Sequence, residues 1–178
     1  MMSKWNWFKA RSVEQLPAMR RYARSLVGDE RADDLVHEAL LRAYERHGTF
    51  RHTGNIQHWL FAIMHNCFVN GWRRAQVERA GVDSLSMTAA AHALPNQEHA
   101  VELDRLAHAF DGLPPEQREV LHLVVVEGLS YQAAASVLEI PVGTVMSRLS
   151  RARAHLRLGG GEQRPNLKLV RGQDGRSD

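Results

Sequence analysis

The sequence predicts an all-α protein, with two small helical domains, a bundle and then a helix-turn-helix unit, joined by a flexible linker. Three observations predict it. Nearly every periodic stretch repeats its apolar residues at helical spacing, and the alternation that marks strands is almost absent. Between Gly81 and His99 the composition turns small and polar, GVDSLSMTAAAHALPNQEH, with no clear period. The charge is polarised: Asp29 to Glu45 holds six acids against two arginines, whereas Arg148 to Arg157 holds four arginines and no acid. Such asymmetry points to two different partners rather than one polyanion coating the whole surface.

Composition excludes several classes. The single cysteine, Cys67, allows no internal disulfide framework and fits a reducing compartment. No apolar run approaches the roughly 20 residues of a membrane span. The opening MMSKWNWFKARS lacks the apolar core of a signal peptide, so the expected location is the cytoplasm, with no direct membrane insertion. His58, His65 and Cys67 do not share a helical face and no Cys-x-x-Cys is present, so neither a metal nor a cofactor is expected. Without a phosphate-cradling glycine loop or a nucleophile motif, the chain does not read as an enzyme.

In order, a first helix is expected over about Val13 to Val27, ending near Gly28. The acids from Asp29 to Asp33 suit the start of a second, running to about His47. Gly48 and RHTGN mark a loop, and a third helix runs from about Ile56 to Ala80. These bound a first domain at 11–80, followed by a linker at 81–97. Helices resume near Gln97 and stop before Leu113-Pro114-Pro115. PPEQREVLHLVVVEG carries prolines suited to a first helical turn, and its Val run is read as helix because its neighbours are helical. Ser130 is placed as the N-cap of SYQAAASVLEI, and a last helix starts near Val142 to Thr144. The second domain spans 98–158, and 159–178 reads as a disordered tail.

On the last helix, at about 100° per residue, Val145, Leu149, Ala152 and Leu156 form an apolar stripe. Thr144, Ser147, Arg148, Arg151 and His155 form a cationic, hydrogen-bonding front about a third of a turn away. Ahead of it, Ala133, Ala134 and Ala135 permit close packing, and the segment from Glu139 to Gly143 is a short turn. This is the layout in which one helix braces and the next enters the DNA major groove. Arg reads guanine bidentately, and Ser and Thr reach bases or phosphates. On the third helix Trp59, Asn66, Asn70 and Arg73 share a face suited to stacking on and holding unpaired bases. On the second, Asp33, Asp34, Glu38 and Arg42 lie along one side with Leu35, Ala39 and Leu41 nearby; acids that repel DNA fit a protein partner, or simply a solvated face.

LPPEQREVLHLVVVEGLSYQAAASVLEIPVGTVMSRLSRARAHLR resembles the fourth conserved region of extracytoplasmic-function sigma factors. ADDLVHEALLRAY is similar to that family's region 2.2, and FRHTGNIQHWLFAIMHNCFVNGWRR to its regions 2.3 and 2.4. The matches fall in the family's order, from about Leu16 to Leu158. The resemblance implies a sigma region 2 bundle and a region 4 helix-turn-helix. It implies docking of Asp33, Asp34, Leu35, Glu38 and Arg42 on the clamp coiled coil of the largest RNA polymerase subunit. The loop from Arg51 to Gln57, with Trp59, Asn66, Asn70 and Arg73, would capture an extruded minus-10 base. Thr144, Ser147, Arg148 and Arg151, with Tyr131, would contact minus-35 DNA. Core polymerase, promoter DNA and an anti-sigma factor are the implied partners. Met146 stands where the family often has a cation, and His37 where it often has Gln. The alternative is a stand-alone helix-turn-helix regulator, which would have no use for the first half.

Overall fold

The computed structural model describes residues 4–51, 54–79 and 108–159. Among these, every regular element is helical: α1 (Lys4–Glu14), α2 (Leu16–Val27), α3 (Asp29–Glu45), α4 (Ile56–Arg79), α5 (Pro115–Leu121), α6 (Tyr131–Leu138) and α7 (Val142–Gly159). Short 3₁₀ and π-helical turns cover His47–Thr49 and His122–Val126, and residues 108–111 are also helical. The expected linker at 81–97 and almost all of the expected tail lie outside the described residues.

In the first half α2, α3 and α4 pack on one another through small and aromatic residues. Met19, Tyr22, Ala23, Ala39, Ala43, Leu60, Phe61 and Met64 are fully buried. The alanines let α3 lie close against its neighbours, and the rings of Tyr22 and Phe61, 4.9 Å apart, fill the remaining space. Gly28 closes α2 and opens α3 with φ +77°, a left-handed backbone that a Cβ disfavours. Cys67 is buried, which pushes its thiol pKa up and leaves it a weak nucleophile.

The chain enters through a helix that periodicity from Val13 onward did not reveal. In α1 the information lies in three aromatic residues rather than in a repeating stripe. Phe8 is buried, packed edge-on against Tyr44 and Trp59. Trp7 stacks on Phe50, and Trp5 meets Tyr44 and His47 edge-on. Pro17, in the first turn of α2, marks where the second helix starts.

In the second half the cap and stripe expectations are met. Ser130 Oγ accepts the Ala133 N–H at 3.1 Å, and Val145, Leu149 and Ala152 are buried. The Val run is helical but widened: the Glu127 N–H bonds to the His122 carbonyl at 3.0 Å, enclosing one residue more than an α-turn. This turns Val125 and Val126 outward and His122 inward.

The halves are joined by buried polar groups. Glu119, 5% exposed, accepts from Tyr22 Oη at 2.6 Å, and His65 Nδ1 lies 2.7 Å from the same oxygen. Burial and the Glu119 carboxylate raise the Tyr22 pKa well above its usual value, so the phenol stays a donor. Glu127 accepts two bonds from Arg21, both 3.0 Å, and one from Gln57 Nε2 at 3.2 Å. His122 stacks on Tyr22 with its Nε2 3.3 Å from Glu127, without hydrogen-bond alignment.

Two outcomes follow. Phe8→Ala empties the centre of the aromatic cluster and lowers unfolding free energy by about 3–5 kcal/mol, measured by urea denaturation. Burial holds the His122 pKa below its usual value despite the opposing pull of Glu127. The unfolded chain then binds this proton first, so the contribution of His122 to stability is complete above about pH 6.5. It falls as pH drops from there through the lower folded-state pKa. Melting temperature therefore declines from pH 7.5 to 5.5, and declines less in His122→Gln.

Candidate nucleic-acid interface

The front of α7 is positioned by its back. With Val145, Leu149 and Ala152 packed inward, Ser147 and Arg151 are exposed and Thr144 and Arg148 half-buried on the outer side. The α7 backbone starts at Pro141, whose carbonyl accepts the Thr144 N–H at 2.9 Å, and Ser147 Oγ donates to the Thr144 carbonyl at 3.0 Å. Met146 is 53% exposed, an apolar gap in the cationic surface. Arg153 and Arg157 are exposed away from that front. Tyr131, at the start of α6, lies at the surface of the same unit.

On α4, Trp59, Asn66, Asn70 and Arg73 lie along one side, with Asn70 half-buried and Arg73 exposed. Trp59 is only partly available, because its ring packs between Phe8 and Phe50, at 5.7 and 5.4 Å. Asn66 Nδ2 donates to Glu139 Oε1 at 3.3 Å, from the other half of the molecule. Asn55, just before α4, accepts the N–H groups of Gln57 and His58 through its side chain and so caps the helix. Of the loop from Arg51 to Gln57, residues 52 and 53 lie outside the described residues.

On α3, Asp33 and Asp34 are exposed; Asp33 meets Arg20 at 3.2 Å, and Glu38 pairs with Arg42 at 2.8 Å one turn on. Leu35 requires a correction. It is 7% exposed and belongs to the core stripe with Ala32, Val36 and Ala39, so it supports this face from beneath rather than offering contact area. The apolar residue α3 does present is Leu41, 51% exposed. Among the described residues no group of three His, Cys, Asp or Glu could hold a metal ion, and no helix is long and apolar enough to cross a membrane.

The residues to which reading along the chain gave no role at an interface are those of the join: Arg21, Tyr22, His65, Glu119, Glu127 and Glu139. Glu119 and Tyr22 are 97 positions apart, and helical periodicity carries no information over that distance. One local signal was available, an acid (Glu119) directly before the apolar pair Val120-Leu121, with which it is buried in α5.

Comparison with known proteins covers both halves. Residues 103–156 match the family model described as sigma-70, region 4, and residues 13–65 that of the sigma2 domain of PhyR. The chain is 39% identical over 142 residues to the ECF RNA polymerase sigma factor EcfG of Rhodopseudomonas palustris, covering 79% of this chain and 78% of that one. It is 30% identical over 131 residues to the ECF RNA polymerase sigma-E factor of Escherichia coli, covering 67% and 69%. Among solved structures, the sigma factor RpoE of Bartonella quintana, crystallised with the anti-sigma factor NepR, superposes with a TM-score of 0.75 at 32% identity. That match covers 85% of this chain and 95% of the other. CnrH, solved with the cytosolic domain of CnrY, gives 0.59 at 26% identity over 85% of each chain. A stand-alone regulator would match through its helix-turn-helix half only. With region 2 and region 4 matched in order, and a relative this similar over most of its length, the chain belongs to the extracytoplasmic-function sigma factors of the sigma-70 family.

Proposed function

We propose that the two halves divide initiation between them. Sigma factors are non-enzymatic initiation factors, and this one supplies surfaces, not a reaction. The acids of α3, exposed Asp33 and Asp34 and half-buried Glu38 with its partner Arg42, dock on the polymerase clamp. The α4 side bearing Trp59, Asn66, Asn70 and Arg73 holds the unpaired minus-10 strand. Base capture there offsets part of the unstacking cost, a few kcal/mol, and so favours strand opening. The front of α7, Thr144, Ser147, Arg148 and Arg151, reads the minus-35 duplex, with Tyr131 beside it. The observation that carries this reading is the orientation of α7, whose apolar stripe is buried and whose arginines face outward. Control by an anti-sigma factor is part of the proposal, supported by the Bartonella relative solved with one. The domain bounds 11–80 and 98–158 belong to it too, with α1 added to the first.

Run-off transcription with sigma-free core polymerase and a pool of genomic promoter fragments tests the whole. Transcripts that depend on the protein establish the function; tight binding of the free protein to duplex fragments, with no transcript, rejects it. Arg148→Ala costs about 1–3 kcal/mol at one base pair of the minus-35 element, read by competition between promoter variants. Asp34→Arg weakens core binding and spares strand capture once bound, whereas Asn66→Ala does the reverse. Permanganate footprinting beside a core-affinity measurement separates the two.

A further inference from the structure

Part of the surface that would capture DNA is occupied in this structure by the chain itself. α6, the brace of the helix-turn-helix, packs on α4. A shallow groove between them is lined by Asn55, His58 and Trp59 on one side and Gln132, Ala133 and Ser136 on the other. Three acids of the second half each meet donors of the first. Glu139 accepts from Asn66, Glu127 from Gln57 and Arg21, and Glu119 from Tyr22. Asn66 is in the proposed strand-capture set, and Gln57 stands in the first turn of the same helix. Their amides donate to carboxylate oxygens here, as they would to the oxygens of a base or phosphate.

Glu139 adds an independent observation. Among the described residues it is the one non-glycine with positive φ, +54°, at the C-terminal cap of α6. Glycine or Asn suits that backbone; a longer side chain there costs energy and persists where something else holds it. What its carboxylate reaches is Asn66.

We propose that region 4 acts as an intramolecular competitor of the unpaired promoter strand for α4, with Glu139 and Glu127 standing in for DNA oxygens. Closed, the molecule leaves Ser147 and Arg151 exposed to duplex DNA, while on the strand-capture side Asn66 is held by Glu139 and Trp59 borders the groove under α6, with Arg73 still exposed. Strand capture then requires the halves to part, and the apparent affinity for single strand is reduced by the fraction of molecules that are open. This rests on the strand-capture reading of α4.

The test uses the full chain with dyes at Ala10→Cys and Ala154→Cys, both exposed, the native Cys67 being buried. Arg21→Glu sets two carboxylates against each other at Glu127; Glu139→Gly relieves the backbone and releases Asn66. Circular dichroism confirms that both variants keep their helices. The probe is a single-stranded oligonucleotide carrying the minus-10 element of a promoter found by run-off transcription. The expected result is a longer distance between the dyes and about tenfold tighter strand binding in each variant. Arg21→Glu is decisive, because adding negative charge would by itself weaken binding to DNA. An unchanged distance in both variants overturns the closure. A longer distance with unchanged or weaker strand binding overturns the competition. If Asn66→Ala then also leaves strand opening intact, the strand-capture reading fails with it.

Discussion

A carboxylate removed from water has to be met by donors, and for Glu119 those donors come from elsewhere in the chain. Its own helix offers it nothing: the partners are the phenol of Tyr22 on α2 and the imidazole of His65 on α4. Leaving such a group unmatched costs more than a matched one contributes. The arrangement of the two halves is thereby restricted to one that brings α5 against α2 and α4. The second carboxylate, Glu127, repeats the constraint at the edge, where Arg21 is half in solvent. Apolar contact alone would let the halves slide; directional bonds to two buried acids do not.

That restriction decides which of the proposed DNA contacts are free. Among the described residues α7 packs on α5 and α6, with its arginines at the surface. α4 is part of the join, and its upper side is shared between Trp59, packed in the aromatic cluster, and Asn66, held by Glu139. The surface of α3 lies outside both. The three surfaces proposed for core docking, strand capture and duplex reading thus sit on three helices with different accessibility.

Much of this was legible in the sequence. Most elements within a half follow from local rules: the cap at Ser130, the prolines opening α5, the stripe of α7, and Gly28 between two helices. Candidate DNA contacts on α7 were legible for the same reason, since a helix with a buried back has a defined front. Leu35 misled because a leucine among surface acids reads as part of their face until the helix is rotated against its neighbours. α1 escaped because its three anchoring rings have no repeat to detect. The join was invisible because its bonds link residues separated by 54 to 106 positions. A buried glutamate and an exposed one look alike in a string of letters.

The widened turn at His122–Val126 has a consequence for how this chain compares with its own kin. An i→i+5 turn advances the helix by a different angle than an α-turn, so residues after it point in directions that plain α-helical counting does not give. Glu127 comes to face Arg21 through that offset. Two family members can therefore share the same letters on either side of the turn and still differ in whether their halves fit together. A residue inserted or deleted in that turn would swing Glu127 away from Arg21 and leave the residues of α4 and α7 unchanged.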